Sequence, residues 1–137
     1  RYFDKIGLGI DFTARDLQRE AKKKGLPWEI AKAFDNSALL SKEFVPVDQI
    51  PDLGQLDFGL RKNGEVVQKG NSKDLIFSFA ELIAYVSKFM TLKTGDLIFT
   101  GTPAGVGEIN AGDVVKAGVE GICECCFNVV SKKPDHA

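Results

Sequence analysis

Residues 9–35 read GIDFTARDLQREAKKKGLPWEIAKAFD, and the hydrophobic period changes within them. With the residues just before, IGLGIDF over 6–12 has the apolar run of a buried strand carrying two glycines. From Thr13 the spacing turns helical and holds to Lys24. Gly25 then stops the helix, with Pro27 just beyond. The cluster Lys22, Lys23 and Lys24 closes the helical pattern, where cations offset the negative end of the helix dipole. Trp28 to Phe34 is apolar and reads as a short turn or helix.

Further along, residues 38–46 are expected to be extended and to end at Pro46, and VDQIPDLGQ over 47–55 to form a loop. Leu56 to Lys62 alternates apolar with polar residues, Asn63-Gly64 follows, and the chain continues from Glu65 to Gln68. An Asn-Gly pair between such runs predicts a two-residue hairpin, because both turn positions need positive φ. Ser78 and Glu81 are spaced as a capping box. Behind them Phe79, Leu82, Ile83, Val86, Phe89 and Met90 recur at helical spacing and predict a core helix. Leu97 to Thr100 predicts a strand. Gly95-Asp96 and Gly112-Asp113 mark turns before strands, and residues 113–131 a terminal hairpin or meander. The expected fold class is mixed α+β, with several strands and two helices and no regular βαβ alternation.

At 137 residues the chain can bury a core of its own. Eighteen basic residues against nineteen acidic ones leave a formal charge of -1. That balance gives no electrostatic draw to nucleic acid or an anionic membrane. No apolar run approaches the ~20 residues of a membrane span. Cys123, Cys125 and Cys126 are an odd number crowded into four residues, which is no disulfide framework. They also lack the four-ligand spacing of a zinc site, and the single His136 lies in a polar tail. They read as reduced packing residues, Cys123 and Cys125 on one strand face and Cys126 on the other, which suits a cytoplasmic protein.

Three groups could carry chemistry. Asp11 stands where strand gives way to helix, a place from which a carboxylate reaches a hard cation such as Mg²⁺. Arg15 and Gln18 are three apart on the helix and share a face, one a planar cationic fork and the other a neutral donor. Equally, Asp11 or Thr13 caps the helix, and Arg15, Gln18 and Lys22 form a solvated stripe. Lys32 lies among apolar neighbours. It either stabilises a negative oxygen or covers the core with its stem. The third group is TGTPAGVG over 100–107, directly after the predicted strand. Its glycines permit close backbone approach to a ligand or simply make a turn. No Gly-Lys-Ser/Thr follows, so it is no P-loop, and no helical pattern follows to complete a dinucleotide fingerprint.

Taken in order, GIDFTARDLQREAKKKGLPWEIAKAFD, then IFSFAELIAYVSKFMTLKTGDLIFTGTPAGVG over 76–107, then the Gly112-Asp113 turn, resemble the fumarylacetoacetate hydrolase family. The likeness runs along nearly the whole chain. It is strongest to the single-domain branch of acylpyruvases, oxaloacetate decarboxylases or tautomerases, and 2-hydroxyhepta-2,4-diene-1,7-dioate isomerases. The resemblance implies a mostly-β roll or sandwich with short helices, and usually a homodimer. It implies that Asp11 is a ligand of Mg²⁺ or Mn²⁺, that Arg15 and Gln18 contact substrate, that Lys32 is catalytic beside metal and substrate, and that Thr102 binds a substrate carboxylate.

The activity so implied is hydrolysis or decarboxylation of a short 2-oxo acid or dicarboxylate, an acylpyruvate or oxaloacetate, through a metal-bound enolate. The alternatives are isomerisation or tautomerisation of a 2-hydroxy-dienedioate or oxaloacetate, and a binding fragment without catalysis. One departure is plain. The family's paired-glutamate motif and its His-Glu lid precede the aspartate motif, and nothing before Tyr2 supplies them; His136 lies at the wrong end. Residues 1–137 are therefore expected to be a catalytic domain truncated on its N-terminal side and inactive alone.

Overall fold

The structure is a computed structural model that describes residues 3–131; His136 lies outside them. In chain order the elements are β1 (Lys5–Ile6), β2 (Gly9–Asp11), α1 (Arg15–Lys24), α2 (Glu29–Lys32), β3 (Ala38–Leu40), β4 (Val45–Pro46), β5 (Asp57–Lys62), β6 (Glu65–Asn71), α3 (Phe79–Val86), β7 (Val114–Val119) and β8 (Cys123–Asn128). They fall into two compact units. One is Gly9–Ser41, and the other joins the residues up to Leu8 with those from Lys42 onward.

In the Gly9–Ser41 unit, β2 and β3 pair antiparallel with Asp11 opposite Ala38, and α1 packs on α2. Ala21 and Ala31 are buried between the elements. Helix α1 ends in a Schellman motif. Gly25, at φ 64°, bonds back to the Lys22 carbonyl, and the Leu26 amide bonds to the Ala21 carbonyl. Lys22 lies 5.0 Å over the Trp28 ring and Lys24 pairs with Glu20 at 3.6 Å, so the basic cluster serves the helix end.

The single strand expected over 6–12 is two strands. β1 bonds to β4 in one unit and β2 to β3 in the other, so the ladder cannot run through Gly7 and Leu8. Residues 38–46 divide for the same reason. The loop at 47–55 opens with a 3₁₀ turn, Val47–Gln49.

The larger unit holds a four-stranded antiparallel sheet in the order β6-β5-β7-β8. The β5–β6 hairpin turns on Asn63 and Gly64, at φ 52° and 89°, as the Asn-Gly pair requires. Asn63 also ties this turn to the next one. Its Nδ2 donates to Asp113 Oδ1 at 2.7 Å, and its Oδ1 accepts from the Val114 amide. On β7, Val115, Ala117 and Val119 are buried while Lys116 between them is exposed and pairs with Glu124, the period-two pattern of a one-sided sheet. Ile50, Leu56 and Val119 form the core cluster, with Ile6, Phe58 and Phe79 against it. On β8, Cys123 and Cys125 are half-buried and Cys126 is exposed; all three are free thiols, as expected.

Two expectations fail in this unit. The capping box forms, with both Ser78–Glu81 bonds present, but α3 ends at Val86, and Phe89 and Met90 lie in the turn after it, 71% and 66% exposed. The apolar period makes a packed face only as far as the helix runs: Phe79, Leu82, Ile83 and Val86 are half-buried, with Phe79 against the core cluster, and the two residues beyond the helix end are not. Leu97 to Thr100 is not a strand: it finds no partner ladder among the described residues, and strand character needs one. The Gly95-Asp96 turn does form, with Asp96 Oδ2 accepting from the Lys93 amide.

Candidate active site

The four chemistry-bearing residues of the N-terminal motif all lie in the Gly9–Ser41 unit. Asp11 is the last residue of β2, and Lys32 is the last of α2. The β2–β3 ladder fixes the first, and the packing of α2 on α1 fixes the second; the Ala14 amide bonds to the Ala31 carbonyl at 3.0 Å. Lys32 Nζ thereby reaches Asp11 Oδ2 at 2.5 Å and Thr13 Oγ1 at 2.9 Å.

This geometry answers two questions the sequence left open. Neither Asp11 nor Thr13 caps α1, whose N-cap residue is Ala14 with no side-chain bond. Both face the lysine instead. Nor is Lys32 extended into solvent: its ammonium is bound to a carboxylate and a hydroxyl. Sequence reading missed Thr13 as a partner, since a threonine before a helix looks like a cap.

Arg15 and Gln18 form a second pair, with Arg15 Nη1 donating to Gln18 Oε1 at 3.0 Å, as three-residue helical spacing allows. The fifth residue, Thr102, belongs to the larger unit. It is exposed in the glycine-rich loop and accepts from Gln68 Nε2 at 2.9 Å. Gln68 was not singled out from the sequence, because a strand residue that meets a loop 34 positions later leaves no local trace.

The loop itself is held against β6. Gly105 has φ 97°, and a Cβ there would stand 2.0 Å from the Val67 carbonyl oxygen. Only glycine fits such a position.

As a metal site the donor set is partial. Asp11 offers the oxygen chemistry that Mg²⁺ or Mn²⁺ takes, but it is a single carboxylate. Among the described residues no group of three or more His, Cys, Asp or Glu could hold an ion. Asp11 can be one ligand of a set and cannot be the site.

Residues 5–130 match the profile described as fumarylacetoacetate (FAA) hydrolase C-terminal. The chain belongs to the fumarylacetoacetate hydrolase family. This family member is 48% identical over 128 residues to the mitochondrial oxaloacetate tautomerase of Mus musculus, covering 93% of the chain and 58% of that protein. It is 41% identical over 133 residues to the mitochondrial oxaloacetate decarboxylase of Dictyostelium discoideum, covering 96% and 61%. The crystal structure of fumarylpyruvate hydrolase from Pseudomonas aeruginosa, in complex with Mn²⁺ and pyruvate, superposes with a TM-score of 0.88 at 38% identity, over 93% of the chain and 55% of that structure. The α+β fold is thus the family fold, and its relatives catalyse hydrolytic, decarboxylating and tautomerising reactions. The family member spans about three-fifths of the length of these curated relatives. Among its described residues no helix is long and apolar enough to cross a membrane.

Proposed function

We propose that this chain carries part of the site of an enzyme that acts on short 2-oxo acids, cleaving a carbon–carbon bond by hydrolysis of an acylpyruvate or decarboxylation of oxaloacetate. The observation that supports this most is the Lys32 ammonium bound between Asp11 and Thr13. It gathers a cation and an oxygen ligand at the end of one strand, which is what a reaction that develops negative charge on a 2-oxo oxygen needs.

The residues take separate roles. Lys32 holds positive charge toward the oxygen that gains electrons. Arg15 offers a fork to a carboxylate and Gln18 a neutral donor. Thr102 donates its hydroxyl proton to a substrate carboxylate and sets orientation. Asp11 would be one ligand of Mg²⁺ or Mn²⁺, with the others from outside the described residues. The cation, when bound, supplies a Lewis acid that polarises the 2-oxo group.

A second reading is tautomerisation or isomerisation of oxaloacetate or a 2-hydroxy-dienedioate. The 48% identity to an oxaloacetate tautomerase favours it. The two readings share charge stabilisation and differ in which bond gives up its electrons. ¹H NMR of the polypeptide as its gene encodes it, with oxaloacetate or an acylpyruvate and Mg²⁺, separates them. Release of pyruvate supports cleavage; enol–keto exchange accelerated without pyruvate supports tautomerisation. Neither, in a metal-loaded preparation, removes the proposal.

The 137 residues alone, with one carboxylate for the cation, are expected not to turn over substrate; full turnover by the purified chain refutes this. A homodimer is the proposed assembly, and sedimentation reads it. The proposed compartment is the reducing cytoplasm, which suits three free thiols, two of them pushed up in pKa by burial.

A further inference from the structure

Strand β6 carries a register shift. Leu60 of β5 pairs with Gln68, but the next residue, Arg61, pairs with Val66, so Val67 is the extra residue of a bulge. A bulge bends its strand and re-aims the side chains beside it. Here it turns two groups to the glycine-rich loop. The Val67 carbonyl comes against Gly105, and Gln68 Nε2 reaches both Thr102 Oγ1 at 2.9 Å and the Pro103 carbonyl at 3.0 Å.

The direction of these bonds follows from the partners. The Pro103 carbonyl can only accept, so the Gln68 atom facing it is the NH₂ group. The same nitrogen faces Thr102, so the threonine oxygen accepts there. A hydroxyl that accepts from an amide keeps its own proton free to donate elsewhere. Gln68 thus spends both N–H groups on consecutive loop residues and leaves Thr102 as a donor.

We propose that Gln68 is a positioning residue: it sets the polarity of the Thr102 hydroxyl, so that threonine presents its proton, and not a lone pair, to a substrate carboxylate. This rests on the reading of Thr102 as the carboxylate contact. Gln68 acts through Thr102 and does not itself touch substrate.

The test uses the polypeptide as its gene encodes it, with oxaloacetate as the probe. Gln68→Glu keeps the size but, ionised, can only accept, so the Thr102 proton turns inward. Gln68→Met keeps most of the volume and removes both bonds. Each is expected to raise KM about tenfold, the scale of one lost bond to a charged group, with kcat within about threefold. Thr102→Val should raise KM by a similar factor. In the Thr102→Val background, Gln68→Met should add no further rise. A scaffold role alone would lower the melting temperature without this KM-against-kcat split. If Gln68→Glu does not fold, Gln68→Met carries the test.

An unchanged KM in Thr102→Val overturns the carboxylate reading and the proposal with it. A raised KM in Thr102→Val with an unchanged KM in Gln68→Met overturns the positioning role alone. So do independent, multiplying effects of the two substitutions.

Discussion

Replacing Lys32 by Met separates what the lysine does for the fold from what it does for chemistry. Methionine keeps an unbranched stem of similar length, so packing along α2 survives and only the ammonium is lost. The side chains of Lys32 and Asp11 are 33% and 44% exposed, which makes theirs close to a surface ion pair. Such pairs contribute about 0.2–1 kcal/mol once solvent screening is counted. The bond to Thr13 adds about 0.5–1.5 kcal/mol. Stability should therefore fall by about 1–2 kcal/mol, a few degrees in melting temperature. A cation aimed at developing negative oxygen is worth about 3 kcal/mol or more in the transition state, so kcat should fall about 10²–10³-fold with little change in KM. The assay is pyruvate release or tautomer exchange from oxaloacetate, followed by NMR beside a thermal melt of the same preparation. An unchanged kcat removes the lysine from the mechanism. A melting temperature lowered by tens of degrees, with activity lost in proportion to unfolding, makes it a structural residue instead.

Three more outcomes can be checked. The Asn110 amide, the Asn63 side chain and nearby Lys62 hold the Asp113 carboxyl below its ordinary pKa. A group depressed on folding stabilises above its unfolded pKa, about 4, and that contribution is lost as pH falls through the folded value; melting curves from pH 7 down to 3 should decline less steeply in Asp113→Asn, and equal slopes would exclude the linkage. Val115→Ala deletes two methyl groups at a fully buried site and should cost about 2–3 kcal/mol in urea unfolding, whereas Lys116→Ala next to it should cost under about 0.5. Gly105→Ala meets both an overlap with the Val67 carbonyl and a positive φ, so it should lose about 2 kcal/mol or more; a wild-type melt would show that the loop is not held against β6.

What was legible in the sequence is what local chemistry dictates. Asn63-Gly64, the Ser78–Glu81 box and the Gly25 stop each satisfy their own backbone groups within a few residues, so their geometry follows from the residues themselves. Strand character at 97–100 was not legible in this way, because a ladder is made by two segments. The helical spacing through Phe89 and Met90 gave a face but not what lies over it. At the candidate site, Asp11 and Lys32 are 21 positions apart and were joined by resemblance, not by spacing; the short bond between them then follows from the β2–β3 register and the α1–α2 contact. Gln68 stayed hidden because its aim depends on one extra residue in a strand, which no composition or period records.

The side chains left open around α3 have a practical consequence for anyone who handles these 137 residues. Ile76, Phe77, Tyr85, Phe89 and Met90 are each more than half exposed, and water gains by bringing such surfaces together, whatever they belong to. Purified by themselves, the molecules should grow stickier on warming and in sulfate, and bind a dye such as anilinonaphthalene sulfonate while still folded. Concentration and choice of salt will set how long such a preparation stays clear.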